Sequence, residues 1–359
     1  MSDKIAFFIV DDSAIARTTI TALLENETDI VLHGTASDPI LAQAKFERLG
    51  WPDVIILDIE MPRMDGLTFL RKMMKEHPTP VIICSSVAQA GSRNAMEALS
   101  LGAVEVIAKP EVGLKSFLEE SRHELIHAIK AAYASKKGMK RKVVPPKRMR
   151  IIETAKLDAD SVLSLKPNML HTRTHSVIAI GSSTGGVQTL ERILPQLPEK
   201  TPPILVTQHM PAGFTKSLAD RLNRLCTISV KEAEHGDKLL HGRALIAPGD
   251  KHMTLKRSGT SYIVEIKDGP KVSRHKPSVD VLFRSCANEA GANAIGFLLT
   301  GMGDDGAKGL KEMRERGGKT YSQDEESCIV YGMPKVAVEI GASMGVLNPE
   351  EIINTIKKG

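Results

Sequence analysis

Short apolar segments alternate with amphipathic segments along most of the chain. The first third contains five candidate β-strands, at Ile5–Val10, Ile30–Ala36, Val54–Leu57, Val81–Cys84 and Val104–Ile107. Apolar residues at helical spacing occupy the intervals, and another helical pattern extends over 114–134. Five strands that alternate with five helices predict a doubly wound α/β domain with a parallel sheet.

The same alternation resumes after residue 176 and predicts a second doubly wound parallel-sheet domain, of the Rossmann-like kind. Its apolar candidate strands are 177–180, Ile204–Thr207, Ala244–Ala247 and Ala294–Leu299. Two further strand patterns, Thr254–Arg257 and Tyr262–Ile266, flank Ser-Gly-Thr and predict a hairpin. Residues Val279–Ala290 have the spacing of a helix.

Charge is distributed unevenly along the 359 residues, which carry a net charge of +5. Residues 1–135 hold 13 basic and 19 acidic side chains, 136–175 hold 11 and 3, and 176–359 hold 24 and 21. The core of the basic middle segment, 135–150, holds two prolines, one glycine and eight basic residues, as solvated linkers do. We therefore predict domains at 1–134 and 176–359, joined by a basic linker at 135–175. A nucleic-acid-binding patch is the alternative, but no aromatic residue interleaves with the basic residues of 135–150.

Composition favours a soluble, cytoplasmic protein without membrane insertion. Residues 1–4 are followed by only a short apolar run, which predicts no signal peptide. No apolar run approaches the roughly 18–20 residues that cross a bilayer. The four cysteines are widely spaced, which indicates buried thiols rather than a disulfide framework or a zinc site.

Polar side chains directly follow four predicted strands of the first domain. They are Asp11, Asp12, Asp58, Ser85, Ser86 and Lys109. The carboxyl ends of parallel strands meet at one edge of a sheet, where such folds bind ligands. Three carboxylates gathered there repel one another unless a cation joins them, and oxygen ligands favour Mg²⁺. Each residue alone is more typical of a helix cap or a surface acid, but the set predicts a Mg²⁺ site that holds a phosphoryl group.

One motif in this domain points elsewhere. His123-Glu124-Leu125-Ile126-His127 matches the zinc-protease pattern H-E-x-x-H. It falls on the predicted last helix without a clear third ligand, so we interpret it as an amphipathic surface helix.

These residues make the first domain similar to response-regulator receiver domains over about residues 3–130. Met-Pro-Arg-Met-Asp-Gly at 61–66 also matches that family's loop after the phosphoryl acceptor. The resemblance implies a flavodoxin-like fold in which Asp58 is phosphorylated. It implies Mg²⁺ binding by Asp11, Asp12, Asp58 and the backbone carbonyl of Glu60, and phosphoryl contacts from Ser85 and Lys109. Val106 stands where the family often has an aromatic residue, so the signal is expected to travel by helix and loop displacement.

The second domain places a serine loop, a histidine and an acidic loop after three predicted strands. The serine loop is Gly-Ser-Ser-Thr-Gly-Gly at 181–186, the histidine is His209, and the acidic loop is 300–306. If the three strands are parallel, these loops converge, and serine, histidine and aspartate together suit a nucleophile, its base and an orienting carboxylate. The serine loop alone is equally compatible with a phosphate cradle at a helix N-terminus.

Each component also has a simpler interpretation. Ser182 or Thr184 would cap a helix, His209 would be a satisfied strand-end residue, and the two acids of the last loop would cap the next helix. Gly-Ser-Ser-Thr-Gly matches the G-x-S-x-G elbow, but the order Ser, His, Asp differs from that of the α/β-hydrolases. His275, Ser278 and Asp280 form a rival triad, which helix capping explains better because the three lie close together at a helix start.

The combination of motifs resembles the chemotaxis protein-glutamate methylesterases over nearly all of residues 176–350. The motifs are 181–186, Thr-Gln-His-Met-Pro at 207–211, Ile-Ala-Pro-Gly-Asp at 246–250, Pro-Ser-Val-Asp at 277–280 and Thr-Gly-Met-Gly-Asp-Asp-Gly at 300–306. The resemblance implies Ser183 as nucleophile, His209 as base and Asp305 as orienting acid. It also implies that Thr184 and the Met302 backbone support the site around the oxyanion.

Two positions depart from this family pattern. Ser182 stands where alanine is usual, which adds a hydroxyl beside the nucleophile. Asp304 stands where asparagine is usual, and its charge beside Asp305 would raise the pKa of one carboxyl if both are buried.

The resemblance implies a serine hydrolase that is activated by phosphorylation and demethylates glutamate methyl esters on chemoreceptors, releasing methanol. It also implies deamidation of receptor glutamines, a chemotaxis histidine kinase as phosphodonor, Mg²⁺ for receiver phosphorylation, no cofactor for the esterase reaction and association with chemoreceptor clusters. Two alternatives remain open: a receiver joined to a nucleotide-binding module, and a DNA-binding regulator. The serine loop lacks both G-x-G-x-x-G and the P-loop lysine, and no helix-turn-helix pattern stands out, so no nucleic-acid partner is expected.

Overall fold

The computed structural model describes residues 4–86, 89–109, 115–139, 156–167 and 176–358. The chain divides into two compact units, with the boundary between Val143 and Val144. Every helix within the described ranges is either too short or too polar to cross a membrane.

The first unit is a five-stranded parallel sheet with helices between its strands. The strands are β1 (Ile5–Val10), β2 (Ile30–Ala36), β3 (Val54–Leu57), β4 (Val81–Ser85) and β5 (Glu105–Ala108). The helices are α1 (Ala14–Leu24), α2 (Pro39–Leu49), α3 (Gly66–Glu76), α4 (Gln89–Ser100) and α5 (Lys115–Met139). The strand order is β2-β1-β3-β4-β5, the flavodoxin-like order, so the predicted fold is confirmed.

Sequence pattern explains this sheet well. The strands lie within one residue of their predicted bounds. Three of them, β1, β3 and β4, are apolar runs, almost entirely buried, that stop abruptly at polar residues. Ser13, Asp38 and Asp65 each begin the following helix by accepting backbone N–H bonds. The strand-order reversal at β1 and β3 brings Asp11, Asp12 and Asp58 to one edge.

Helix α5 extends five residues beyond the predicted end of this domain at residue 134. Ser135 is buried, and Lys136 Nζ donates to Asp53 Oδ1 at 2.6 Å. The start of the predicted linker is therefore anchored to the first unit as helix.

The second unit is built on a seven-stranded parallel sheet with a separate antiparallel hairpin. The strands are β6 (Val177–Ser182), β7 (Ile204–Gln208), β8 (Ser229–Glu232), β9 (Arg243–Ile246), β10 (His252–Ser258), β11 (Ser261–Lys267), β12 (Ala294–Leu298), β13 (Lys319–Gln323) and β14 (Gly345–Leu347). The helices are α6 (Gly186–Ile193), α7 (Phe214–Leu225), α8 (Val279–Glu289), α9 (Ala307–Glu315), α10 (Met333–Glu339) and α11 (Pro349–Lys358).

The order of the large sheet is β14-β13-β12-β6-β7-β9-β8, and β10 pairs with β11 as predicted. β6 therefore lies between β12 and β7, with all three parallel. The sequence pattern missed β8, β13 and β14, whose short or polar sequences lack a buried apolar run.

Residues 156–167, which fall within the predicted linker, lie against α8 and the loop before it. Arg284 on α8 donates to Asp160 Oδ1 at 2.6 Å and to the Leu163 carbonyl at 3.1 Å. Val162 packs on a small buried apolar cluster that includes Val272. This stretch is consequently part of the second unit, whereas most of the basic stretch 135–150 lies outside the described residues.

Candidate active site and candidate phosphorylation site

The carboxyl ends of β6, β7 and β12 meet at the place where the strand order of the second sheet reverses. The chain runs outward from β6 to β7 and returns on the other side of β6 at β12. Ligands of open parallel sheets bind in the crevice at such a reversal. Ser183 follows β6, His209 follows β7, and the 300–306 loop follows β12.

Ser183 lies in a tight turn that the neighbouring loop holds in place. Its backbone N–H donates to the Thr300 carbonyl at 3.0 Å, and its carbonyl accepts from Gly186 N at 2.7 Å. A Cβ on Gly301 would lie 2.7 Å from Ser183 Cβ, so only glycine permits this approach of the two loops. The serine is 3% exposed, at the start of the crevice.

The hydroxyl of Ser182, the first departure from the family pattern, points into the scaffold. Ser182 Oγ donates to Gln208 Oε1 at 2.7 Å, while Gln208 Nε2 donates to the Ser183 carbonyl at 2.9 Å. The additional hydroxyl is therefore engaged in holding β7 beside β6. Gln208 was not identified from the sequence, although it directly precedes the predicted base.

His209 is linked to both neighbouring loops. Its backbone N–H donates to the Ser182 carbonyl at 3.0 Å, and its ring Nε2 lies 2.8 Å from Asp305 Oδ2. An ionised carboxylate only accepts, so Nε2 carries the proton and Nδ1 carries the lone pair. Nδ1 is buried and has no hydrogen-bond partner among the described residues. It is thus the ring atom available to take a proton.

Asp305 is 1% exposed and surrounded by hydrogen-bond donors at the N-terminus of α8. Ser278 Oγ and Asp280 N donate to Oδ1 at 2.8 and 3.1 Å, and Val279 N donates to Oδ2 at 2.7 Å. Burial alone would raise the pKa of Asp305, but the hydrogen bond from His209, together with the backbone donors, lowers it below its usual value. The Asp305 carboxylate is therefore an anion that its donors hold in place beside the His209 ring.

Asp304, the second departure, lies apart from this arrangement. Its side chain is 44% exposed and accepts from Lys156 Nζ at 2.7 Å and 2.9 Å through its two oxygens. Asp304 and Asp305 are not both buried, so the condition set for their mutual electrostatic effect is not met. The geometry favours Asp305 as the orienting acid.

The predicted supporting residues lie around the same turn. Thr184 is buried, and its carbonyl accepts from Thr300 Oγ1 at 3.0 Å. Met302 is partly exposed and directly follows Gly301, the residue that contacts Ser183. Their backbone positions are compatible with the support role that the resemblance implies.

The rival triad residues do not form a separate site. Ser278 caps α8, as expected, and also contacts Asp305, whereas the ring of His275 stacks on His209 with centroids 3.6 Å apart. Asp280 is buried and accepts from Gly309 N at 2.8 Å. Burial and the charge of Asp305 raise the pKa of Asp280 well above its usual value. The Pro-Ser-Val-Asp motif marked the position of Asp280, but the sequence did not predict the contacts of this side chain.

The first unit gathers its predicted acids at the edge of its own sheet. One ligand atom from each of Asp11, Asp12 and Asp58 lies within 4.8 Å of the others, and this is the one group of three or more such side chains in the described residues. Asp11 and Asp58 are buried and Asp12 is exposed. His123 and His127 on α5 therefore lack a third ligand within those ranges.

Lys109 is the cation of this cluster. Its Nζ lies 2.6 Å from Asp58 Oδ2 and 3.0 Å from Asp11 Oδ2. Burial raises the pKa of Asp58, an effect that the Lys109 hydrogen bond and charge oppose and that the charge of Asp11 increases. Burial alone would lower the pKa of Lys109, but its contacts with Asp58 and Asp11 raise it.

The remaining predicted residues lie beside Asp58. Ser85 is buried at the end of β4, and its carbonyl accepts from Lys109 N at 3.0 Å. Glu60 is exposed, and its N–H lies 3.4 Å from Asp58 Oδ1. A Cβ on Gly66 would lie 2.2 Å from the Asp58 carbonyl, which explains the glycine that ends the 61–66 motif.

The donor set fits Mg²⁺. The three carboxylates supply only oxygen ligands, as this ion prefers. Asp11 Oδ2 is buried and has no well-aligned hydrogen-bond donor among the described residues, although Lys109 is near. That oxygen already faces the ammonium of Lys109, and Mg²⁺ would share it with Lys109.

Comparison with known proteins agrees with both halves of this description. The family described as "CheB methylesterase" matches residues 178–356, and the family described as "Response regulator receiver domain" matches residues 7–119. The chain is 54% identical over 355 residues to "Protein-glutamate methylesterase/protein-glutamine glutaminase 2" of Chromobacterium violaceum, covering 98% of this chain and 99% of that relative.

A second relative and a solved structure give the same result. The chain is 51% identical over 355 residues to "Protein-glutamate methylesterase/protein-glutamine glutaminase 1" of Pseudomonas savastanoi pv. phaseolicola, covering 98% of each chain. The solved catalytic domain of Thermotoga maritima CheB methylesterase is 40% identical, with a TM-score of 0.51, and covers 52% of this chain and 99% of that one. The chain therefore belongs to the CheB methylesterase family, with a response-regulator receiver domain preceding its catalytic domain.

Proposed function

We propose that Ser183, His209 and Asp305 carry out the protein-glutamate methylesterase and protein-glutamine glutaminase reactions of this family, and that Asp58 controls them. The chain is an enzyme of that class by its family membership. The observation that carries the residue assignment is the His209–Asp305 hydrogen bond of 2.8 Å. It leaves Nδ1 as a buried base that has no hydrogen-bond partner among the described residues, in the loop next to that of Ser183.

The chemistry follows from these atoms. Ser183 Oγ attacks the carbonyl carbon of a glutamate methyl ester while His209 Nδ1 takes the hydroxyl proton, and Asp305 stabilises the resulting imidazolium. The bond from carbon to the methoxy oxygen breaks, and His209 returns the proton to that oxygen, so methanol leaves an acyl-Ser183. Water then attacks the acyl carbon, gives a proton to His209 and restores both the glutamate and Ser183. With a glutamine substrate, ammonia leaves in the first half.

Backbone N–H groups around the nucleophile loop would stabilise the tetrahedral oxyanion. Thr184 and Met302 lie in the two loops that meet at Ser183, and we assign this role to their backbones. Each such donor contributes roughly 2.7–4 kcal/mol to the transition state in known hydrolases. Side chains and backbone of this chain thus supply every step.

The receiver site supports control by phosphorylation of Asp58. Asp11, Asp12, Asp58 and the Glu60 carbonyl would hold Mg²⁺, which neutralises charge on a transferring phosphoryl group. Lys109 and Ser85 would contact the phosphoryl oxygens. We propose a chemotaxis histidine kinase as phosphodonor, methylated chemoreceptors as substrates and the cytoplasm, at receptor clusters, as the place of action. The domains assigned to these roles are 1–134 and 176–359, with 135–175 between them.

The test is methanol release from methylated chemoreceptor membranes with Mg²⁺, with and without a small phosphodonor. We expect release by the wild type to rise with phosphodonor and release by Ser183→Ala to fall to background. Ser182→Ala is the matched control, because its hydroxyl contacts Gln208 instead of the crevice. Asp58→Ala should keep its release without phosphodonor and lose the stimulation.

The outcomes separate the two halves of the proposal. Equal release by wild type and Ser183→Ala would remove Ser183 as nucleophile. Stimulation that persists in Asp58→Ala would remove Asp58 as the control point while leaving the esterase assignment intact.

A further inference from the structure

His252 is a buried titratable residue beside the active site that the mechanism above does not use. It is the first residue of β10 and is fully buried. Its Nε2 lies 2.9 Å from the Pro270 carbonyl, which can only accept, so Nε2 carries the ring proton. Its Nδ1 accepts the backbone N–H of Ser278 at 3.2 Å. Both ring nitrogens are therefore committed, and the ring is neutral.

Ser278 continues this chain of hydrogen bonds to the triad. Its Oγ accepts from Val281 N at 3.4 Å, as a helix cap does, and donates to Asp305 Oδ1 at 2.8 Å. The other Asp305 oxygen accepts from His209 Nε2 at 2.8 Å. Four consecutive hydrogen bonds thus connect the Pro270 carbonyl to the ring whose free nitrogen is the proposed base.

The backbone donors to Asp305 depend on the same anchor. Val279 N and Asp280 N, which directly follow Ser278, both donate to Asp305. Residues 278–280 supply three of the four donors to Asp305. If the Ser278 N–H had no acceptor, this segment would be held less firmly around the carboxylate. His252 is the side chain that accepts that N–H.

We propose that His252 is a positioning residue of the triad, which by accepting the Ser278 N–H fixes Ser278 and the first turn of α8 around Asp305. This inference rests on the proposed function of Ser183, His209 and Asp305. His252 touches neither substrate nor nucleophile, so its effect reaches the reaction through the orientation of the Asp305 carboxylate and the His209 ring.

The environment of His252 is consistent with this role. Burial lowers the pKa of His252, assisted by the charge of Lys276, although the Pro270 hydrogen bond and the charges of Asp305 and Asp268 oppose the change. The neutral ring is the form that can accept from Ser278.

Two conservative variants distinguish positioning from space filling. The amide oxygen of His252→Asn falls near the place of Nδ1 and can accept the Ser278 N–H. The amide of His252→Gln falls near the place of Nε2 and reaches Pro270 instead. We expect His252→Asn to stay within about threefold of wild type and His252→Gln to lose roughly tenfold in kcat at unchanged KM, the size of one lost hydrogen bond.

The measurements are kcat and KM for methanol release from methylated receptor membranes, thermal unfolding of the full chain, and the proton resonance of His209 Nε2–H. A shift of that resonance in His252→Gln, but not in His252→Asn, would accompany the fall in kcat. Equal kcat in the two variants, whether both at wild-type level or both reduced together with the unfolding temperature, would overturn the proposal.

Ser278→Ala provides a second route if His252→Gln does not fold. It removes the hydroxyl link to Asp305 and should likewise lower kcat at unchanged KM, and a wild-type kcat would contradict the inference. Wild type and Ser183→Ala are measured alongside. If these two release methanol equally, the proposed function has failed; if only Ser183→Ala is inactive, the His252 result stands on its own.

Discussion

Both sheets place buried aspartates at the carboxyl ends of their strands. The two sites differ in how many hydrogen-bond donors and cations each carboxylate has. At the first edge, where Asp11, Asp12 and Asp58 gather, the ammonium of Lys109 pairs with Asp11 and Asp58, and backbone N–H groups donate to the same two carboxylates. At the second, Asp305 alone receives four donors, from Ser278, Val279, Asp280 and His209. The first edge therefore gathers three carboxylates around one ammonium, whereas the second surrounds a single carboxylate with donors.

The pKa directions follow from this difference. Burial would raise the pKa of both Asp58 and Asp305, and it prevails at Asp58, where Lys109 and the Ile59 N–H oppose it but the charge of Asp11 adds to it. It is overcome at Asp305 by His209 and the backbone donors. A carboxylate beside other negative charges is suited to take up a cation or a phosphoryl group. A carboxylate that accepts hydrogen bonds at both oxygens is suited to remain an anion while a neighbouring imidazole gains and loses a proton.

The largest effect should come from breaking the second edge. In Asp305→Asn the amide can donate to His209 Nε2, which favours the tautomer with the proton on Nδ1 and removes the base. We expect kcat for methanol release to fall roughly 10³–10⁴-fold, as in other triads. Asp304→Asn is the matched control, because Asp304 is exposed and paired with Lys156. An equal loss in both variants would show that the contacts around Asp305 do not set the activity.

Mutation of the first edge should impair phosphorylation of the receiver domain. Asp11→Asn removes one cation ligand and one negative charge, so we expect Mg²⁺-dependent incorporation of phosphoryl groups from a small phosphodonor to fall at least about tenfold. Asp65→Asn is a control in the same region, since asparagine still caps α3. Phosphorylation that is insensitive to both Asp11→Asn and chelation of Mg²⁺ would contradict the interpretation of this edge as a cation site.

The sequence pattern singled out the candidate residues at both edges for one physical reason. Buried parallel strands are apolar throughout, so a polar residue directly after one is conspicuous, as Asp58, Ser183 and His209 are. The same reasoning explains why the central strands were found and why β8, β13 and β14 were not. Their alternating polar residues or short length do not stand out from loop sequence.

What the sequence could not show is the set of contacts that supports each acid. Ser278 was interpreted as a helix cap, which it is, but its hydroxyl also binds Asp305, which follows it by 27 positions. From the sequence, the choice of Asp305 over Asp304 depended on motif alignment. In the structure Asp305 is buried, whereas the Asp304 side chain is 44% exposed. Such long-range hydrogen bonds leave no local pattern in composition or periodicity.

A smaller effect should appear in stability at Asp280. Its pKa is raised well above 3.8 in the folded protein, so the folded state opposes ionisation. Wild-type stability therefore decreases as pH rises above 3.8 towards the folded pKa, by at most about 1.4 kcal/mol per pH unit. Asp280→Asn lacks this penalty and should gain stability over wild type at pH 8 relative to pH 5. Equal differences at both pH values, in thermal unfolding of the full chain, would show that Asp280 is ionised when folded.

The smallest effect belongs to Lys156 and Asp304, the ion pair that the second departure from the family pattern creates. Both side chains are more than a third exposed, so the pair should contribute only about 0.2–1 kcal/mol to stability, and less at high salt. A double-mutant cycle with Lys156→Ala and Asp304→Asn, measured by thermal unfolding at two salt concentrations, gives this coupling. Methanol release should stay within about twofold of wild type, because one mutated exposed pair leaves all four donors to Asp305 in place. A tenfold fall in kcat for Lys156→Ala would instead show that residues 156–167 act on the triad through the loop that carries Asp305.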